Sequence, residues 1–203
     1  MTNLVDRATS SRGHRRREQL IDAGTTLLAD GGWPAVTTRA VAERAGTNIG
    51  LIHYHFGGLP GLHAAIARKA GDEVITPVVD ALLEVQDLNA ALDTVRDLVP
   101  ATTGDGQTMR LAVELMAGAL RDPALGEVVR DGLRQARARI GERLGELHPS
   151  WSEARRTGAA TVITALLDGL MLHRLLDASL PVDEALAALG DLIGDAHEGA
   201  HFR

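Results

Sequence analysis

The strongest constraint on the fold is the spacing of apolar residues, which recur at intervals of three and four along most of the chain. Such intervals place apolar side chains on one face of an α-helix. No run of alternating apolar and polar residues is long enough to predict a strand. The seven prolines fall between or near the edges of the periodic segments, where a missing N–H group is tolerated. The pattern predicts an all-α chain of about nine helices.

The same pattern gives approximate positions for these helices. A first helix carries Leu20, Ile21, Leu27 and Leu28 and ends near residues 30–32, and the periodicity resumes after Pro60. Further helices are expected near residues 79–99, 106–121, 123–147, 152–179 and 182–198.

Composition excludes several classes of function. The chain has no cysteine, so it contains no disulfide, thiolate metal site or cysteine nucleophile. No nucleophile elbow, phosphate-binding loop or convergent pair of carboxylates is present. His53 and His55 lie about 200° apart around a helix axis and do not chelate one ion. We therefore expect no enzymatic activity, no metal and no cofactor.

The sequence also predicts a soluble cytoplasmic protein. Its N-terminus has no apolar segment of the kind found in secretory signals. The longest uncharged apolar stretch, residues 157–167, is too short to cross a bilayer and is followed by Asp168.

Charge is unevenly distributed along the chain. The net charge is −6, but residues 1–58 carry seven arginines and five acids, whereas the remainder carries −8. Electrostatic attraction to phosphate acts within about 10 Å at cellular salt. A basic end on an acidic body is therefore compatible with nucleic-acid binding, although a solvated basic tail explains the charge equally well.

The last two predicted helices are unusually apolar. Residues 158–176 have apolar side chains nearly all round, and such a helix must be covered on every side. Residues 182–196 supply a second apolar stripe. We expect the helices near 152–179 and 182–198 to form a homodimer interface as a four-helix bundle. The alternative is a buried helical hairpin within a monomer.

A short segment carries the main functional signal. Thr37 is a plausible N-cap for a helix from residue 38, and Gly46 suits the positive φ of a tight turn. Asn48 can cap a second short helix, on which Ile52 and Phe56 share a face. Helix, glycine turn and helix is the arrangement of a helix-turn-helix.

The order of an arginine-rich arm, one longer helix, this helix pair and a helix opened by Pro60 resembles the TetR family of bacterial transcriptional regulators. The resemblance is carried by residues 45–56, AGTNIGLIHYHF, by Gly32-Trp33, and by residues 37–39 and 41–42. It extends over roughly residues 14–76. It implies an N-terminal three-helix DNA-binding domain, residues 1–58, and a helical ligand-binding and dimerisation domain, residues 59–203.

The resemblance implies a homodimer that binds a palindromic DNA operator, most often as a repressor, and is released by a small molecule. On matching positions, Ile49, Gly50, Leu51 and His53 would face the major groove, and Arg39 would reach a base edge or a phosphate. Thr38, Tyr54 and His55 would contact phosphates of the DNA backbone, and Arg15 and Arg16 would add further phosphate contacts. Asn48 would cap the recognition helix at the DNA surface.

Two positions depart from the family pattern. His53 stands where the family commonly has tyrosine, and Leu59 stands where a lysine is common. Leu59 removes one expected phosphate contact. An alternative function is therefore a helical adaptor or small-molecule-binding protein that has lost sequence-specific DNA binding.

The effector is not identifiable from the sequence. Helices near residues 106–121, 123–147 and 152–179 are expected to enclose its pocket together with the helix that follows Pro60. Candidate lining residues are methionines that fill irregular gaps and a few polar anchors, although a place in the plain core explains the methionines equally well. The candidates are Ile66, Met109, Met116 and Met171, with Glu114, His173 and Arg110 as polar anchors.

Overall fold

A computed structural model describes the backbone of residues 3–200 and the side chains of residues 12–87 and 89–193. Within this range the chain forms nine α-helices and one short 3-10 turn, with no strand. The helices are α1 (Asn3–Gly31), α2 (Thr38–Arg44), α3 (Gly50–Phe56), α4 (Leu59–Leu83), α5 (Leu88–Gly104), α6 (Gly106–Arg121), α7 (Pro123–Leu147), α8 (Glu153–Leu176) and α9 (Val182–Ala200), and the 3-10 turn is Trp33–Ala35. The all-α prediction is confirmed.

The chain divides into two compact units that do not follow a single cut in the sequence. The first contains residues 1–74 and 110–132, and the second contains residues 75–109 and 133–203. Helices α4, α6 and α7 therefore contribute residues to both units. The boundary predicted after residue 58 separates a DNA-binding part from a ligand-binding part, and it stays a prediction. The compact units are a different division, based on packing.

Each unit has its own apolar core. In the first unit, α1 to α4 pack against the C-terminal half of α6 and the start of α7, and the core contains Leu28, Ile52, Leu62, Ile66 and Leu111. The core of the second unit is formed by the end of α4 with α5, α7, α8 and α9. The DNA-reading segment predicted from sequence thus depends on α6 and α7 for part of its core.

The prediction of one helix over residues 79–99 was wrong. The chain leaves helical conformation after Leu83 and begins α5 at Leu88, where the carboxylate of Asp87 accepts a hydrogen bond from the Ala90 N–H at 2.9 Å. An aspartate in this position satisfies a backbone donor that the first helical turn leaves free. This cap sets the boundary.

The expectation that all prolines lie between or near the edges of helices was also wrong. Pro77 lies inside α4 and Pro100 inside α5. A proline inside a helix forfeits one backbone hydrogen bond. Both helices are anchored by flanking residues in the core of the second unit, Val79 and Leu82 in α4 and Val95 and Val99 in α5. Because tertiary packing outweighs the local penalty, proline position alone misplaced the helix boundary.

The arginine-rich N-terminal arm is helical rather than extended. Arg12, Arg15 and Arg16 lie within α1 and are exposed to solvent. Arginine is a good helix former, so the segment continues the first helix toward its N-terminus.

Although the uncharged stretch of residues 157–167 is too short to cross a bilayer, α8 as a whole is the one helix in the described part of the chain whose length and composition would allow it to do so. Its core-facing residues include Ala160 and Leu167. Large apolar side chains on the rest of its surface are exposed, namely Val162, Leu166, Leu172, Leu175 and Leu176.

Candidate nucleic-acid interface

The helix-turn-helix begins with a side-chain cap. The Thr37 hydroxyl accepts a hydrogen bond from the Ala40 N–H at 3.1 Å, and α2 follows directly. Val41 and Ala42 of α2 are buried in the core of the first unit. The cap and the buried face agree with the sequence prediction and fix α2 on the first unit.

The turn between α2 and α3 requires glycine. Gly46 has φ +61°, a conformation that side-chain-bearing residues rarely adopt. The chain then passes through Thr47, whose N–H donates to the Ala42 carbonyl at 2.9 Å. Five residues, 45–49, therefore connect α2 to α3, and the glycine turn predicted from the sequence lies among them.

Helix α3 begins at a capped turn and presents one face outward. The Asn48 side-chain oxygen accepts a hydrogen bond from the Leu51 N–H at 3.2 Å. Ile52 is fully buried on the inner face, which anchors the helix. On the outer face Tyr54 is 81% exposed, and Gly50 and His53 are also exposed. The outer face is therefore free to meet a partner.

The remaining sequence-predicted DNA contacts divide between the surface and the core. Arg39 is exposed on α2, and Ile49 is 41% exposed just before α3. Thr38 and His55 are half-buried, and Leu51 is half-buried against the apolar core. Leu51 therefore offers less surface than the sequence pattern suggested, whereas Arg39 is exposed to solvent.

Sequence reasoning did not single out the contact between Arg17 and Phe56. The Arg17 guanidinium lies 5.3 Å from the centre of the Phe56 ring and 3.0 Å from the Glu18 carboxylate. A cation over an aromatic face is attracted by the ring electrons. The contact joins α1 to the end of α3, and no local pattern announces it because 39 positions separate the two residues.

A second brace joins α1 to α4. The Lys69 ammonium lies 3.4 Å from the Asp22 carboxylate and 3.2 Å from that of Glu73. The hydrogen bond to Glu73 raises the pKa of Lys69, an effect that burial partly opposes and Asp22 reinforces. The only lysine of the chain therefore links α4 to α1.

The candidate effector residues do not form one cluster. Ile66 is fully buried in the core of the first unit, and Met116 is 58% exposed on α6. In the second unit Met109 is buried, Met171 is half-buried and His173 is exposed. Arg110 contacts the last turn of α1, and Glu114 contacts the connection between α1 and α2. Their proposed ligand contacts stay predictions.

Among the described residues no group of histidines and acids has the arrangement of a metal site. The chemistry of the outer face is that of hydrogen-bond donors, imidazoles and one guanidinium. These groups can bind phosphate oxygens and base edges.

Comparison with known proteins agrees with this geometry. Residues 20–66 match the family model of bacterial regulatory proteins, tetR family, and residues 88–197 match that of the BetI-type transcriptional repressor, C-terminal. The HTH-type transcriptional regulator BetI of Burkholderia mallei (strain NCTC 10229) is 28% identical over 176 residues, which cover 85% of this chain and 87% of that protein.

Solved structures give the same result. A protein described as a transcriptional regulator, SCO7518 from Streptomyces coelicolor A3(2), is 27% identical with a TM-score of 0.72, over 87% of this chain and 97% of the other. The multidrug binding protein EbrR, solved with proflavin, is 28% identical with a TM-score of 0.65, over 87% and 99%. This chain belongs to the TetR family of bacterial regulatory proteins and is a BetI-like transcriptional regulator, not an enzyme.

Proposed function

We propose that this regulator is a repressor that binds a palindromic operator as a homodimer and is released by a small molecule. The observation that carries the proposal is the outer face of α3, where exposed His53 and Tyr54 stand on a helix anchored by buried Ile52. The match of residues 88–197 to a repressor-type C-terminal domain supports the sign of regulation.

Base readout and phosphate contact fall to different side chains. Gly50 and His53 are exposed on α3, Ile49 is exposed just before it, and Arg39 is exposed on α2. An arginine can bond guanine through two hydrogen bonds, and an apolar side chain can pack against a thymine methyl group. We assign phosphate contacts to Thr38, Tyr54 and His55, and to Arg15 and Arg16 on α1.

The homodimer interface is assigned to α8 and α9. Exposed apolar side chains lie on both helices of the second unit, several on α8 and Leu192, 68% exposed, on α9. A second copy covers these side chains with the same residues, as in most symmetric dimers. Insertion into a membrane is the competing explanation, but the opposite face of α8 packs into the core of the second unit, which favours a protein partner.

The effector is assigned to the C-terminal helical part of the chain. EbrR was solved with proflavin and with ethidium, both planar aromatic cations. The excess of acids after residue 58 favours cations of this kind over anions. Both dyes also bind duplex DNA, so the direct test is a fluorescence titration of the protein without DNA.

Selection of bound duplexes from a random pool tests the proposal as a whole. We expect an inverted repeat whose half-site centres lie about 34–36 Å apart, since two recognition helices must enter successive major grooves. Bound duplexes without an inverted repeat would contradict the dimer. Failure to enrich any sequence at low salt would favour the helical adaptor, to which Leu59 at the usual lysine position also points.

A further inference from the structure

Helix α6 contacts the last turn of α1 and the connection that follows it through residues spaced four apart. The Arg110 Nε donates a hydrogen bond to the Ala29 carbonyl at 2.9 Å. That carbonyl lies in the last turn of α1, where carbonyls have no partner within the helix and the helix end is electronegative. Arg110 therefore binds the C-terminal end of α1.

One turn later, α6 binds the start of the 3-10 turn. The Glu114 carboxylate accepts a hydrogen bond from the Trp33 N–H at 3.2 Å, and the Trp33 indole N–H donates to the Glu114 carbonyl at 2.7 Å. The positive Arg110 thus meets the electronegative end of α1, and the negative Glu114 meets the N–H group at the start of the 3-10 turn. These bonds join residues 81 positions apart.

The next turn of α6 accommodates the Trp33 ring. A Cβ atom placed on Gly118 would lie 2.4 Å from the indole nitrogen, so the ring occupies the space that any other residue would need. On its other side, Trp33 contacts the His63 ring of α4 with centroids 5.0 Å apart. The His63 Nε2 also lies 2.9 Å from the Val36 carbonyl, immediately before α2.

We propose that Arg110, Glu114 and Gly118 are positioning residues for DNA binding, which hold the α1–α2 connection, and with it α2 and α3, in the orientation that fits the operator. None of them is assigned a contact with DNA. The inference rests on the proposed DNA-binding function and adds that contacts from α6, away from the proposed DNA-contacting residues, contribute to operator affinity.

Substitutions on this face of α6 test the inference. Glu114→Ala removes the acceptor of the Trp33 N–H, Glu114→Gln keeps the size but loses the charge, and Gly118→Ala displaces the ring. We expect Glu114→Ala and Gly118→Ala to lower affinity for the selected operator duplex by about fivefold or more, a typical coupling between distinct sites. The operator affinity of Glu114→Gln should lie between that of these two variants and that of wild type.

Two readouts separate positioning from other effects. In a Trp151→Phe background Trp33 is the only tryptophan, and its emission should shift in the Glu114 and Gly118 variants. The slope of log affinity against log salt concentration should stay that of wild type, since no phosphate contact is lost. The slope should also stay that of wild type in the Arg110→Ala variant. A slope reduced by about 0.9 in that variant would make Arg110 a phosphate contact and overturn its positioning role.

Matched controls are available on the same unit. Gly71→Ala changes a helical glycine of α4 that has open space around it, and Leu120→Ala changes an exposed side chain of α6. Both should bind the operator like wild type. Circular dichroism far below the melting temperature checks that each variant is folded, and Glu114→Gln decides the question if Gly118→Ala unfolds.

Two failures are distinguishable. If wild type binds no duplex, the proposed DNA-binding function falls and this inference with it. If wild type binds and the Glu114 and Gly118 variants bind within twofold of it, this inference alone is overturned.

Discussion

At the scale of single residues, ionisation of the Asp168 carboxyl group on α8 lowers the stability of the folded chain at neutral pH. Partial desolvation raises its pKa even though the residue lies at the exposed surface of α8, and the charge of Arg137 on α7 lowers it by less. Because the pKa is higher in the folded chain than in the unfolded chain, ionisation favours unfolding. The penalty is fully present above the folded pKa and disappears below the unfolded value.

We therefore expect Asp168→Asn to raise the melting temperature at about pH 7 and to lose this advantage as the pH falls toward about 4. Thermal unfolding followed by circular dichroism at fixed protein concentration measures both. Asp177→Asn is the control of opposite sign, because hydrogen bonds from Ser179 lower the pKa of Asp177. A gain for Asp168→Asn that is equal at every pH would contradict the explanation.

Arg39 offers a residue-scale test of base readout. It is exposed on α2, whereas Arg44 on the same helix is paired with Asp30 at 3.3 Å. Arg39→Ala should weaken operator binding by about 1–3 kcal/mol and relax the preference at one base pair, if the guanidinium bonds a base. Arg44→Ala should cost less and leave the preference unchanged. Binding assays on duplexes mutated one position at a time decide between base and phosphate contact.

At the scale of elements, the exposed apolar surface of α8 should control assembly. Leu172→Glu places a charge on this surface without entering the core of the unit, since Leu172 is 45% exposed. We expect the variant to sediment as a monomer and to bind the full operator poorly. Leu120→Glu on α6, at a residue 84% exposed, is the matched control and should remain dimeric.

The competing explanation of α8 has its own outcome. Wild-type protein that floats with lipid vesicles, and Leu172→Glu protein that does not, would assign the surface to a membrane. Wild-type dimers that stay with the soluble fraction would support the interface.

Elements defined by local chemistry could be predicted from sequence, and elements defined by distant contacts could not. Thr37, Gly46 and Asn48 act on neighbours within three or four positions, so their roles were readable in the sequence. The Trp33–Glu114 contact spans 81 positions and leaves no periodic trace. The ligand-anchor role predicted for Glu114 stays a prediction, and its hydrogen bond with the Trp33 N–H could not be found from the sequence.

At the scale of the whole molecule, the part of the chain expected to bind the operator has a net positive charge, and the remainder has a net negative charge. The net charge of residues 1–58 is +2 against −8 for the remainder. Binding should therefore weaken steeply with salt, since each neutralised phosphate adds about 0.9 to the slope of log affinity against log salt. Replacing both Arg15 and Arg16 by alanine removes two proposed phosphate contacts and should reduce the magnitude of that slope by about 1.8. An unchanged slope would remove α1 from the interface.

The division of the chain into units has a practical consequence for making hybrid regulators. Helices α4, α6 and α7 each pass from one unit to the other, so the polypeptide crosses between them three times. A single recombination point after residue 74 would deliver α1 to α3 without Leu111, Leu115 and Leu125, which complete their core. New operator preferences are therefore better engineered by grafting the outward side chains of α3 than by exchanging an N-terminal cassette.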